Sequence, residues 1–469
     1  MAQKYTNGPP WPGRARRAVY PAPAVKMSGT VAAETAGQQA STRADRSRFW
    51  WLLAAIAVIA FGVRLWFVLT LARRNPTGGD PFYYHVQANL LADGKGFSEP
   101  FTFSRTGRLI ATAYHPPLFS LLLAVSSFFG GTSWFAHKLV ASAAGTGTVV
   151  VVGLVAREVA GSRAGLIAAA FAAVYANLWV VDGILMPESL YGLSIAVVLL
   201  AAYRYCRTPR LGLAIGTGAA IGLAALVRGE AVVLVPVLAV PLALWANRDW
   251  SRRLRQLGAM LVAAGLVIAP WTLRNLVRIH PAVVLSVNAD DVVGIANCRD
   301  TYYGQLVGFW SIRCYEPTPP GNEVERGRAY RKRGIAYARD HLGRLPYVLL
   351  ARQGRMWDVF RTRETVLLGR IEGRDENVSR VGQRMYWAAI PLALIGLVLL
   401  RRRRRPILPL VAQLALVAIT GVLAYGQVRF RMPADVVLVV LVGVVLDALL
   451  GSRLSRRRTA DARPSSVHP

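Results

Sequence analysis

The chain has 469 residues, 54% of them hydrophobic and only 17% charged, with a mean hydropathy of +0.36; a soluble protein of this length needs far more polar surface. Its formal charge of +31 would suit a nucleic-acid binder if the basic residues gathered on one folded face. Instead, short arginine clusters punctuate long apolar stretches, as charges flanking membrane spans do, and nucleic acid is excluded as a partner.

In chain order, residues 1–48 carry Pro9, Pro10, Pro12, Pro21 and Pro23 and no apolar periodicity, which predicts a disordered tail. It is too long and polar to open an ordinary signal peptide. The run from Phe49 to Ala72 is long enough to remain as an anchor. Further apolar runs of membrane-spanning character fall at 135–156, 164–181, 187–203, 211–227, 231–246, 257–273, 384–400, 407–425 and 434–450. A shorter run, Pro116 to Phe129, opens with Pro-Pro and closes on Gly130-Gly131.

Arginines in short loops stay cytoplasmic, and this rule decides the topology. If the tail is inside and the 116–129 run does not cross, all the short clusters share one side. These are Arg157/Arg163, Arg204/Arg207/Arg210, Arg248 to Arg255, Arg401 to Arg405 and Arg453 to Arg458. Arginine carries nearly all the basic charge and Ala, Gly and Val abound, as in GC-rich bacterial genomes. The expectation is therefore an all-α polytopic protein of the bacterial cytoplasmic membrane with about ten transmembrane helices, both termini cytoplasmic, and an interfacial helix at 116–129. The organisation expected is a cytoplasmic tail (1–48), an N-terminal transmembrane catalytic module (49–273) with a first outer loop (73–134), a large extracytoplasmic loop domain (274–383), C-terminal transmembrane helices (384–450) and a basic cytoplasmic tail (451–469).

Within the large loop, Pro320-Gly321 introduces a polar helix over Asn322 to His341. Tyr347 to Arg361 interleaves aromatic and basic residues as a helix lying on the membrane surface does. The β-branched and aromatic stretch 282–315 predicts a strand or two, making the loop domain mixed. Cys298 and Cys314 stand on the oxidising side of this topology, and Cys206 at a cytoplasmic helix end. A loop of about 17 residues would gain roughly 3 kcal/mol from closure, so a Cys298–Cys314 disulfide is expected.

The groups able to do chemistry collect on the outer side. Asp80 precedes Pro81 just beyond the first span, a natural N-cap position. A carboxylate there also reaches a lipid-borne group while wet enough to stay ionised. His115 heads the interfacial helix, and Glu188 follows Pro187 where a span re-enters, an ordinary place for an acid at a helix N-terminus. Arg228-Gly229-Glu230 and Arg429-Phe430-Arg431 put arginine into short outer turns, against the positive-inside rule. Guanidinium clamps phosphate oxygens bidentately; a salt bridge to Glu230 or snorkelling is the structural alternative. Together the acids and arginines suit one task, in which arginine holds a phosphate-linked donor while a carboxylate deprotonates an attacking hydroxyl.

At these residues the chain resembles the polyprenyl-phosphate-sugar-dependent glycosyltransferases of the C-type fold, the relatives of protein O-mannosyltransferases and lipid A aminoarabinose transferases. The resemblance runs from about Phe49 to Leu450. It is carried by Asp80 to Phe97, His115-Pro-Pro-Leu, Pro187-Glu188-Ser-Leu, Arg228-Gly-Glu230, Pro270-Trp-Thr-Leu-Arg274-Asn275 and Arg429-Phe-Arg431-Met-Pro433. It implies an inverting transfer of a sugar from a polyprenyl-phosphate donor to a hydroxyl on a glycan, lipid or protein, with Asp80 as general base and Glu188 as the second acid. Tyr84, His115, Arg228, Glu230, Arg429 and Arg431 are the substrate contacts it implies. Many relatives carry a second acid directly after the first, where this chain has Pro81, so no metal and no other cofactor is expected. The rival class is a transporter or flippase of lipid-linked sugars, which would place ionisable residues mid-membrane and carry repeated halves.

Overall fold

The computed structural model describes residues 29–461 apart from 77 and 247–248. Among them every extended element is helical, and the β pairing is a single bridge between Ser98 and Ala111. Residues 1–50 and 51–469 form two separate compact units, and the bundle lies in the second. Of the expected tails, 1–28 and 462–469 lie outside the described residues. Residues 29–48, expected to be irregular, belong to helix Gly29–Leu69. Their alanines, glutamines and Glu34 favour helix even without an apolar face.

Among the described residues, seven helices are long and apolar enough to cross a membrane: Arg46–Leu69, Trp134–Ala160, Glu188–Arg207, Gly229–Ala246, Trp250–Arg278, Glu376–Arg402 and Val428–Ser452. Ser162–Val174, Leu211–Val227 and Leu408–Leu423 are shorter apolar helices that coincide with the remaining expected runs. Helix Leu118–Phe128 has 11 residues, about 16 Å at 1.5 Å per residue, well short of a hydrocarbon core roughly 30 Å thick. Gly229–Ala246 is irregular. A 3₁₀ turn over Gly229–Val233 and a π turn over Val235–Ala239 precede helix Val240–Ala246, where Pro236 and Pro241 each remove a backbone donor.

Small residues let the helices close up. A Cβ on Gly165 would stand 2.6 Å from the Gly153 carbonyl oxygen, so Trp134–Ala160 and Ser162–Val174 touch backbone to backbone. Arg64, the one charge between Phe49 and Leu69, forms a fully buried ion pair with Asp182, N to O 2.7 Å. It also donates to the carbonyls of Ala60 (3.0 Å) and Gly145 (3.2 Å).

The helix ends separate the charges. Glu188 and Arg429 stand at the N-terminal ends of Glu188–Arg207 and Val428–Ser452. At the other end, Arg207 pairs with Glu158 and Arg163 with Asp447.

The 282–315 stretch forms no strand. It holds helices Asn288–Ile295 and Arg299–Tyr302 and 3₁₀ turns Gly304–Leu306 and Ile312–Tyr315. Ile295 and Thr301 are buried on these short helices, and Asn288–Ile295 packs on helix Glu323–Asp340. The large loop is therefore helical, not mixed. Helix Glu323–Asp340 starts on a capping box: Asn322 Oδ1 accepts from the Val324 and Glu325 N–H groups, and Glu325 accepts from the Asn322 N–H.

Helix Leu345–Met356 departs from a simple surface helix. Leu350 is exposed, but Arg352 and Arg355 are buried. Arg352 donates to Ala296 O (2.6 Å) and Val422 O (3.1 Å), and Arg355 to Val307 O (2.7 Å) and Gln305 O (2.6 Å). The irregular 296–307 backbone leaves carbonyls that only a multi-donor side chain satisfies. Cys298 and Cys314 are joined in a disulfide, with Cα atoms 5.7 Å apart.

Candidate active site

Gly79, at φ 69°, turns the chain into helix Gly79–Ala92. Gly78 takes the N-cap position, and Asp80 lies inside the first turn rather than capping it as expected. Its carboxylate is therefore available for distant partners. Arg429 Nη1 donates to Asp80 Oδ2 at 3.0 Å, and His115 Nε2 lies 3.5 Å from Oδ1. Tyr84, one turn on from Asp80, stacks on the His115 ring at 5.0 Å between centroids.

Other elements fix the His115 segment. Glu323 accepts from Thr112 Oγ1 and the Ala113 N–H, both at 2.7 Å. Arg274 donates to Thr112 O (2.7 Å) and Phe97 O (2.9 Å). Asn288 Nδ2 lies 3.3 Å from His115 Nδ1.

Glu188, fully buried at the start of its helix, pairs with Arg228, which also pairs with Glu230. The Arg228 guanidinium lies over the Phe430 ring at 4.9 Å. Arg429 bridges the two halves of the cluster. Besides Asp80 it reaches Glu372 (3.3 Å) and Glu188 (4.0 Å), and it donates to the Tyr425 hydroxyl at 2.8 Å.

Burial alone would raise the Asp80 carboxyl. The hydrogen bond and charge of His115, joined by Arg429, outweigh it and hold the carboxyl well below the usual carboxylate range. Glu372 shifts the other way: burial raises it, and Arg429 and Arg374 only partly compensate. Burial likewise lowers the Arg374 guanidinium, against the opposing charges of Glu372 and Glu188.

Buried polar atoms without a partner gather here. They are Glu188 Oε2, Glu372 Oε2, Arg374 Nε, Arg429 Nε, the Tyr191 hydroxyl and both amide atoms of Gln427. Each is costly to bury unpaired, so their concentration beside Asp80 marks a site shaped for a polar ligand.

The fold thus brings Asp80, Tyr84, His115, Glu188, Arg228, Glu230 and Arg429 together. It does not bring Arg431, which is fully buried against Asp435 (3.2 Å), Asp358 (3.9 Å) and the Tyr386 ring. Glu372, Arg374 and Gln427 join the site without having been singled out in the sequence. Glu372 and Arg374 come from a polar loop in which many acids and arginines look alike. Among the described residues, no group of three or more His, Cys, Asp and Glu side chains stands ready for a metal. The Arg429 guanidinium lies between Asp80, Glu188 and Glu372.

Residues 114–273, from the His115 segment through Glu188 and Arg228, match the family described as dolichyl-phosphate-mannose-protein mannosyltransferase. Over that third of its length the chain is similar to the polyprenyl-phosphate-sugar glycosyltransferases. No characterised protein matches it at the level of whole-sequence similarity. Among solved structures it resembles the oligosaccharyltransferase AglB of Archaeoglobus fulgidus in complex with an inhibitory peptide and a dolichol-phosphate, with a TM-score of 0.51 and 16% identity over 90% of this chain. The apo form of the Archaeoglobus fulgidus enzyme gives 0.51 and 17% over 88%. The chain spans about half the length of these proteins, 53% and 52%, and at such identity the likeness is one of fold. ArnT of Cupriavidus metallidurans bound to undecaprenyl phosphate gives a TM-score of 0.42 and 15% identity, over 89% of this chain and 82% of that one.

Proposed function

We propose that this chain transfers a sugar from a polyprenyl-phosphate donor to an acceptor hydroxyl on the outer face of the bacterial cytoplasmic membrane. In this reading it has ten spans and both termini in the cytoplasm. The supporting observation is the Asp80–Arg429–Glu372 cluster, with Glu188 and Arg228 alongside, ringed by buried polar atoms that lack partners.

The reaction is a direct displacement with inversion. The acceptor oxygen bonds to the anomeric carbon, and its proton passes to the Asp80 carboxylate. The bond from that carbon to the phosphate oxygen breaks, and polyprenyl phosphate leaves with the electron pair. Arg228 and Arg429 hold the phosphate, where negative charge builds as the bond breaks. Asp80 held by Arg429 and His115 is a weak base, because its charge is already satisfied. When donor phosphate draws Arg429 toward itself, that hold loosens and the basicity of Asp80 rises, tying proton abstraction to donor binding. Glu188 and Glu230 fix Arg228, and Tyr84 fixes the His115 ring.

The test is transfer in proteoliposomes from a panel of polyprenyl-phosphate sugars, with Asp80→Asn as control. Transfer that depends on Asp80 supports the reading. Transport of the lipid-linked sugar without any transfer would replace it with a flippase.

A further inference from the structure

A cavity of about 580 Å³ opens beside the site, and its lining has an unusual origin. All but one of the lining residues lie between Asp300 and Arg313, inside the loop closed by Cys298–Cys314. The exception is Ile371, the residue before Glu372. The disulfide-closed loop therefore builds one wall, and the segment carrying a site carboxylate builds the other.

Two contacts tie this cavity to the reacting groups. The rings of Phe309 and Trp310 lie 6.1 and 6.4 Å from that of Tyr425, whose hydroxyl accepts from Arg429. The Gly426 N–H donates to Gly308 O at 2.7 Å, pinning the Tyr425–Gln427 segment to the cavity wall.

The lining identifies the ligand's chemistry. Tyr303, Phe309 and Trp310 offer flat apolar faces, while Asp300, Gln305 and Ser311 offer polar groups among them. Trp310 Nε1 is buried without an acceptor. A lipid tail would leave that donor unserved. A sugar ring presents an apolar C–H face for the aromatic rings and hydroxyls for the donors and acceptors.

We propose that the cavity walled by the Cys298–Cys314 loop is the acceptor subsite of this enzyme, and that it takes a saccharide whose free hydroxyl is directed toward Asp80. This rests on the glycosyltransferase reading above. It adds that the acceptor is a glycan, and that the disulfide holds its cradle in shape.

The test uses the full chain in nanodiscs, with binding followed by saturation-transfer NMR. The probes are gluco-, manno-, galacto- and arabino-configured methyl disaccharides and a Ser/Thr-containing peptide. At least one disaccharide should bind. Trp310→Phe, which keeps the ring and removes the donor, and Tyr303→Ala, at the exposed rim, should each weaken binding by about tenfold. Cys298→Ser/Cys314→Ser should weaken it as well, while Asp80→Asn should leave it intact. In the transfer assay the same cavity variants should raise the acceptor KM and leave the donor KM unchanged. Three results overturn the cavity assignment and leave the transferase reading standing, provided Asp80-dependent transfer proceeds: no disaccharide binding, binding indifferent to both Trp310→Phe and Tyr303→Ala, or binding of the peptide alone. Disaccharide binding that follows those variants, with no Asp80-dependent transfer from any donor, overturns the transferase reading instead.

Discussion

Arg429 Nη1 lies 3.0 Å from Asp80 Oδ2, a contact that spans 349 positions of sequence and joins the first loop to the start of the last long helix. Neither residue needs the other for its local structure, since Asp80 does not cap its helix. Asp80→Asn should therefore fold, keep its neighbours in place and lose turnover by about two to four orders of magnitude, the usual worth of a general base. Near-normal kcat in the purified variant would remove Asp80 from the chemistry.

The same contact sets a pH dependence of stability. The folded-state Asp80 carboxyl is depressed; burial opposes this, but His115 and Arg429 outweigh it. A depressed carboxyl contributes stability that is fully present above its unfolded value, about 3.9. That contribution fades as pH falls toward the folded value. The difference in thermal midpoint between wild type and Asp80→Asn should be largest near neutrality and shrink below about pH 4. A constant difference from pH 7 down to acid would show that ionised Asp80 contributes nothing to the fold.

Arg228 tests geometry apart from charge. It binds Glu188 and Glu230 together and lies over the Phe430 ring, which a flexible ammonium cannot reproduce. Arg228→Lys should raise the donor KM with a smaller effect on kcat, if the phosphate is held alike in ground and transition states. Kinetics unchanged by lysine would reduce Arg228 to a structural ion pair.

The helical plan was readable because hydrophobic runs and arginine clusters are long, repeated signals. The arginine clusters also argue that the 116–129 run does not cross, and its helix, Leu118–Phe128, has only 11 residues. Where the reading failed, the deciding contacts were remote. Val283, Val292 and Phe309 carry strand-like composition, yet the segment is helical because it packs on Glu323–Asp340 and is closed by a disulfide. Arg352 and Arg355 look like surface charges until the carbonyls they serve, from Ala296, Gln305, Val307 and Val422, are seen. Asp80, Glu188 and Arg429 stood out by position at helix ends. Glu372 could not, because only its 3.3 Å contact with Arg429 separates it from the other loop acids. Arg431 shares the Arg429 turn but points to Asp435 and Asp358, a distinction that two residues of helical rotation make and sequence does not.

Orientation in the membrane is open to chemical labelling. The short-loop arginines gather at the helix ends opposite Glu188 and Arg429. Single cysteines near Arg253 and Arg403, in a background without Cys206, should resist impermeant thiol reagents in intact cells. Cysteines near Asp80 and Glu325 should react. Reaction at Arg403 with protection near Asp80 would invert the topology and put the site on the wrong side for an externally presented donor.

The last prediction concerns the ion pair inside the bundle. Arg64 and Asp182 are wholly buried, 2.7 Å apart, and a Cβ on Gly145 would run into both the Asp182 carboxylate and Arg64 Nε. Glycine is required at 145 because the pair occupies the space a methyl would need. Removing one partner leaves an uncompensated charge in a low-dielectric interior, a loss of about 3–5 kcal/mol, whereas replacing both with apolar residues of similar volume can be nearly neutral. Asp182→Ala and Gly145→Ala should therefore both lower the thermal midpoint in detergent. Arg64→Met/Asp182→Leu should recover most of what Asp182→Ala loses. A double variant as unstable as Asp182→Ala would mean that the pair's hydrogen bonds to Ala60 and Gly145, and not its charge balance, hold this part of the bundle.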